Sequence, residues 1–91
     1  MATVAVWQRI DEERVVLALQ GAGERLDSAE GEVVLDFSSV RRVDASEVRA
    51  IEEFANTADD KAVKLALRGV NVDVYKVLKL VKLASRFSFV A

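Results

Sequence analysis

The run Val33-Val34-Leu35, closed by Asp36, constrains this chain more than any other stretch. Three consecutive large aliphatic residues, two of them β-branched, suit a strand buried on both faces, and such strands belong to parallel sheets. The residues that follow keep the rhythm a parallel sheet requires. Ser38 to Val43 reads as a connector. From Asp44 to about Ala58, Val48, Ile51, Ala55 and Ala58 recur at helical spacing, with Arg49, Glu52 and Glu53 turned outward. Ala62 to Arg68 then alternates, placing Val63, Leu65 and Leu67 on one face and Lys64 and Arg68 on the other, until Gly69 ends the strand. Asn71 or Asp73 can cap a second helix reaching roughly Leu83, with Val74, Val77, Leu78 and Val81 as its apolar stripe. Phe87 to Val90 reads as a final short strand. Strand and helix in alternation imply parallel strands joined by right-handed crossovers.

The N-terminal third is patterned differently. Thr3 to Ile10, rich in Val and carrying Trp7, suits a strand. Asp11-Glu12-Glu13 is a polar turn and Arg14 to Gln20 a second β-type run, so the two strands are expected to form a hairpin. Gly21 and Gly23 break the run, and Ala22 to Gly31 reads as a loop or a single helical turn. The expected order is β-β-β-α-β-α-β in one domain covering residues 1–91. Its class is α/β, a mixed sheet with an N-terminal hairpin and parallel C-terminal strands, flanked by helices.

Composition removes most enzymatic chemistry. The 91 residues contain neither histidine nor cysteine. The usual general base near neutral pH, the commonest metal ligand, thiolate nucleophiles and disulfides are therefore all absent. No metal and no cofactor is expected, and the chain reads as a binding domain, not an enzyme. Residues 1–7 lack the basic start and long apolar centre of a signal peptide, and the longest apolar run, Val15 to Leu19, is far too short for membrane insertion. A cytoplasmic location is the expectation.

Charge is segregated. Residues 1–60 carry six Arg against fourteen Asp and Glu, whereas residues 61–91 carry seven Lys and Arg against Asp73 alone. Such bipolarity reads either as ordinary solvated faces or as a surface that steers a charged partner. No aromatic residues interleave with Lys76, Lys79 and Lys82 to stack bases, so nucleic acid is not the expected partner. Self-association as a homodimer is compatible with the sequence.

One glycine pattern and one carboxylate pair have the look of sites. Gly21-Ala22-Gly23 follows a β-type run, but Leu26 occupies the third glycine position of the dinucleotide fingerprint, leaving turn-forming glycines as the reading. Asp36 and Asp44 flank the connector after the buried strand, and read as surface acids at the C-terminal edge of the sheet. Asp44-Ala45-Ser46-Glu47 is more informative. Aspartate followed three residues later by glutamate is close to a capping box. That accounts for Asp44 and Glu47 and leaves Ser46 at the second helical position, near solvent, where a phosphate would meet the free amides of a helix start.

Val33 to Val40, followed by Val43-Asp44-Ala45-Ser46, resembles the core signature of STAS domains, shared by bacterial anti-sigma-factor antagonists and sulfate transporter tails. Leu65 to Val70, Val74 to Leu78, Leu80, Leu83 and Phe87 resemble the later strand, helix and terminal strand of the same family. The resemblance implies a phosphorylation-switchable protein-binding domain of bacterial signal transduction and transcription regulation. Ser46 would be the phosphoacceptor for an anti-sigma-factor serine kinase, and Asp36, Asp44, Ala45, Glu47 and Val48 would form the partner-binding surface. The family usually has glycine after this serine, where this chain has Glu47. The family's helix in the Gly21 to Gly31 stretch is expected to be reduced or missing. Gly69-Val70-Asn71, Val74-Tyr75 and Lys79-Leu80 also resemble the small STAS subunit of lipid-trafficking ABC transporters, which docks on the ATPase without phosphorylation.

Overall fold

The computed structural model describes residues 5–24, 26 and 31–90. The elements are β1 (Ala5–Arg9), α1 (Val15–Glu24), β2 (Glu32–Asp36), α2 (Ala45–Asp60), β3 (Lys64–Arg68), α3 (Val72–Leu80) and β4 (Ser88–Val90). Single 3₁₀ turns, Glu12–Arg14 and Ala84–Arg86, lead into α1 and β4. The α/β class and the parallel C-terminal strands are as expected.

The N-terminal hairpin is not formed. β1 pairs with β2 in parallel, and the segment read as its second strand is helical, so every pairing in the sheet is parallel. The Val15-Val16 pair favours a strand locally, but Val15, Leu19, Ala22 and Leu26 are all nearly inaccessible, and their spacing is that of one helical face. Burying that stripe outweighs the propensity of two β-branched residues. Asp11 starts the segment by accepting from the Glu13 amide at 3.0 Å. The helix expected to be reduced is present, and it begins earlier than the glycines suggested.

The strand order is β1-β2-β3-β4, the order of the sequence. When every crossover is right-handed and each steps to the next strand on the same side, all connecting helices lie on one face. The core shows this arrangement. Val33, Leu35, Leu65 and Leu67 join Val15 and Leu19 of α1, Ile51 and Phe54 of α2 and Val74 and Leu78 of α3 in one cluster. The alternate strand residues Val34 and Ala66 are buried but stand outside that cluster. On their side, Arg68 of β3 sits 5.2 Å from the centre of the Trp7 ring on β1, so its side chain crosses over β2. The central run is thus buried on both faces as expected, with helices on one side and neighbouring side chains on the other. The last helix ends at Leu80, short of Leu83, where Lys82 adopts a positive φ of 64°.

Candidate functional site

All three loops that leave the carboxyl ends of β1, β2 and β3 converge around the segment that enters α2. Asp36 turns the chain at the end of β2, its Oδ1 accepting from the Ser38 hydroxyl at 2.6 Å and the Ser38 amide at 2.9 Å. Arg9 donates to Ser39 Oγ at 3.0 Å, and the Arg41 amide donates to Glu12 at 2.9 Å. Asn71 caps α3 through the Val74 amide at 2.8 Å, and its amide nitrogen donates to the carbonyls of Val40 (3.3 Å) and Arg41 (3.1 Å). Val40 itself is buried. Gly69 backs the same turn with φ +71°, and a Cβ there would fall 2.8 Å from Ser38 Cβ. The connector is therefore held through Ser38, Ser39, Val40 and Arg41 before it reaches Asp44.

Asp44 is the N-cap of α2, with extended backbone (φ −95°, ψ −179°). Its Oδ1 accepts from the Glu47 amide at 2.8 Å, while Glu47 Oε1 accepts from the Asp44 amide at 2.8 Å, a complete capping box. The same Oδ1 also accepts from Ser46 Oγ at 2.8 Å. The Glu47 amide first, then the Ser46 hydroxyl, hold the Asp44 carboxyl below the usual carboxylate range. Asp36 is lowered as well, chiefly by the Ser38 hydroxyl and then its amide, with Arg68 and Arg9 adding smaller attractions.

Asp44, Ala45 and Ser46 are exposed, Glu47 is half-buried, and Val48 is half-buried against the core. Asp36 and Asp44 have separate partners and do not form a paired-carboxylate site. Among the described residues no group of three or more acidic side chains could hold a metal ion. The strand order has no reversal, so the sheet lacks the switch-point crevice in which open α/β sheets bind nucleotides.

A feature beyond reach of the sequence reading is a groove of about 320 Å³ between α1 and α2. Ser46 stands in its wall with Arg49, Gln20, Val16, Gly23 and Phe54. A Cβ at Gly23 would meet the Phe54 ring at 4.0 Å, an ordinary contact distance. The signal for this groove was the helical spacing from Val15 to Ala22, masked by the strand-like character of Val15-Val16. The geometry gives an exposed hydroxyl at a rigid helix start, beside a shallow partly apolar channel. That combination suits contact with another protein.

The family model described as Mlab, STAS domain, matches residues 4–90. The chain belongs to the STAS domain family. STAS domains are in general binding domains. No curated protein sequence matches the chain. Among solved structures, a sulfate transporter family protein from Wolinella succinogenes superposes with a TM-score of 0.81 at 19% identity, covering 98% of this chain and 80% of that one. A Thermotoga maritima protein assigned as an anti-sigma factor antagonist gives 0.75 at 19% identity, with 97% and 81% coverage. The Bacillus cell fate determinant SpoIIAA in its phosphorylated form gives 0.65 at 14% identity, with 96% and 79% coverage. These similarities show a shared fold. Among the described residues, no helix of this STAS domain is long and apolar enough to cross a membrane.

Proposed function

We propose that this STAS domain binds a partner protein through the start of α2, Asp44 to Val48, together with the adjoining α1–α2 groove, and that it docks without phosphorylation. The carrying observation is the capping box. Both carboxylates beside Ser46 are bound into the helix start, so the surface presents fixed negative charge as a permanent part of the fold. A phosphate on Ser46 would add up to about two further negative charges within one helical turn. A partner that reads Ser46 as an unmodified hydroxyl fits this surface better. The family match, described as Mlab, STAS domain, and the resemblance of Gly69-Val70-Asn71, Val74-Tyr75 and Lys79-Leu80 to the small STAS subunit of lipid-trafficking ABC transporters support an ATPase as that partner.

A second reading is an anti-sigma-factor antagonist switched by a serine kinase. It is favoured by the exposure of Ser46 at the second helical position and by fold similarity to SpoIIAA, an anti-sigma factor antagonist solved in both unphosphorylated and phosphorylated forms. Intact-mass measurement and affinity capture from native extract separate the two. Docking predicts unmodified Ser46 and a co-purifying ATP-binding-cassette ATPase, lost in Ser46→Asp and weakened in Asp44→Ala. One added phosphate on Ser46, with a kinase as the captured protein, would instead establish the switch. Capture that Ser46→Asp leaves unchanged would remove α2 as the contact surface.

A further inference from the structure

All-parallel sheets are almost always covered on both faces. Among the described residues every helix packs on the Val33–Leu35 side; the opposite face carries none, and there Trp7 and Arg68 flank the buried Val34 and Ala66. That face is a shallow apolar channel running across all four strands, walled by Trp7, Glu32, Val34, Ala66, Arg68 and Val90. Trp7 is 53% exposed and Val90 45%.

The pairing register fixes how charge lies on it. Glu32 of β2 is level with Lys64 of β3, Val34 with Ala66, and Asp36 with Arg68. Trp7 is level with Val34 on one side and Ser88 with Ala66 on the other. The acids therefore lie on β2 and the bases on β3, in matching rows.

From this arrangement we propose that the bare face is the interface of a symmetric homodimer, with the two-fold axis running along the strands between β2 and β3. Such an axis lays β2 over the second copy's β3 and β1 over its β4. Glu32 then meets Lys64 of the second copy, Asp36 meets Arg68, and each pair occurs twice. Bulky residues meet small ones, Trp7 over Ser88 and Val34 over Ala66. A twisted sheet turned about this axis also follows its own curvature, which keeps the gap between the two sheets even. The other face-to-face two-fold, across the strands, lays β2 over β2 and β3 over β3. It sets Glu32 against Asp36 and Lys64 against Arg68, like charge on like, and is disfavoured.

Four strands about 4.8 Å apart and five residues long give a face on the order of 300 Å² in plan. That is well under the roughly 800 Å² per partner of a standard interface, so the dimer is weak and reversible. This interface lies on the side of the sheet away from α2 and is independent of the docking surface proposed above.

Sedimentation equilibrium of the purified chain up to about 1 mM, with emission of its single tryptophan read in parallel, tests the proposal. A reversible dimer is expected, with a blue shift of Trp7 emission as concentration rises. Glu32→Lys and Lys64→Glu are each expected to weaken self-association at least tenfold while leaving the circular dichroism unchanged. Mixed together, the two variants should restore a heterodimer, because both of its Glu32–Lys64 positions then carry opposite charges. Lys79→Glu, on the exposed side of α3, should leave association unaltered. Wild-type chain that stays monomeric throughout would overturn the proposal. So would tighter association of Glu32→Lys, the signature of the crossed axis, or a Trp7 shift that appears only when a different protein is added.

Discussion

Asp44 shows how one residue can be fully explained by local structure and still stand at the centre of the proposed contact surface. Its Oδ1 receives both the Glu47 amide and the Ser46 hydroxyl, and both bonds favour the ionised form. The folded pKa is therefore below the unfolded one. For a carboxylate shifted in that direction, the stabilisation is present above the unfolded value and is lost as pH falls through the folded value. Asp44→Asn should accordingly lower the urea midpoint at neutral pH, with the gap to wild type narrowing below about pH 4. A gap that stays constant down to pH 2 would show that the charge of Asp44 contributes nothing. The spacing of Asp44 and Glu47 made this cap legible from sequence. The third bond, from Ser46, was not, because a second-position serine has several rotamers and only the folded turn selects one.

The elements differ in how plainly they announce themselves. α2 is legible because its apolar positions repeat at one period and its start carries a cap signal; only Phe54 escaped the stripe. β3 is legible because Leu65 and Leu67, following Val63, alternate with Lys64, Ala66 and Arg68. α1 is hard to read because two valines open it and two glycines interrupt it, while the deciding quantity, burial of Val15, Leu19 and Ala22 in the core, belongs to tertiary packing. The glycines give that correction a test. Gly21 lies inside α1 with nothing within 4 Å of a built Cβ. Gly21→Ala should therefore stabilise the fold by about 0.5–1 kcal/mol, as expected for a helix interior and not for a turn. Gly69→Ala should do the reverse, costing more than about 1 kcal/mol, because it combines a left-handed backbone with contact against Ser38. Thermal melts of the two variants displaced in opposite directions are the outcome; a destabilised Gly21→Ala would count against helix α1.

At the scale of the molecule, the parallel arrangement from β2 onward followed from the alternation of strand and helix. The bare face did not, since strand order is not written in local periodicity. It emerges from where each crossover lands, and landing always one strand further leaves one side uncovered. The same order predicts a gradient of protection. β2 and β3 are paired on both sides, while β4 contributes three exposed residues at an edge. Amide hydrogen exchange should thus be slowest in β2 and β3 and fastest in β4, with β1 between them. Slow exchange in β4 would mean that something else covers that edge.

The strand order also bears on how the chain is made. Each strand pairs with the one synthesised immediately before it, and no later strand has to be threaded between two that have already met. A chain emerging from the ribosome can therefore add one strand and one helix at a time to a growing edge. On the side away from β1, the growing edge reaches β4, the shortest of the described strands, which extends the template least.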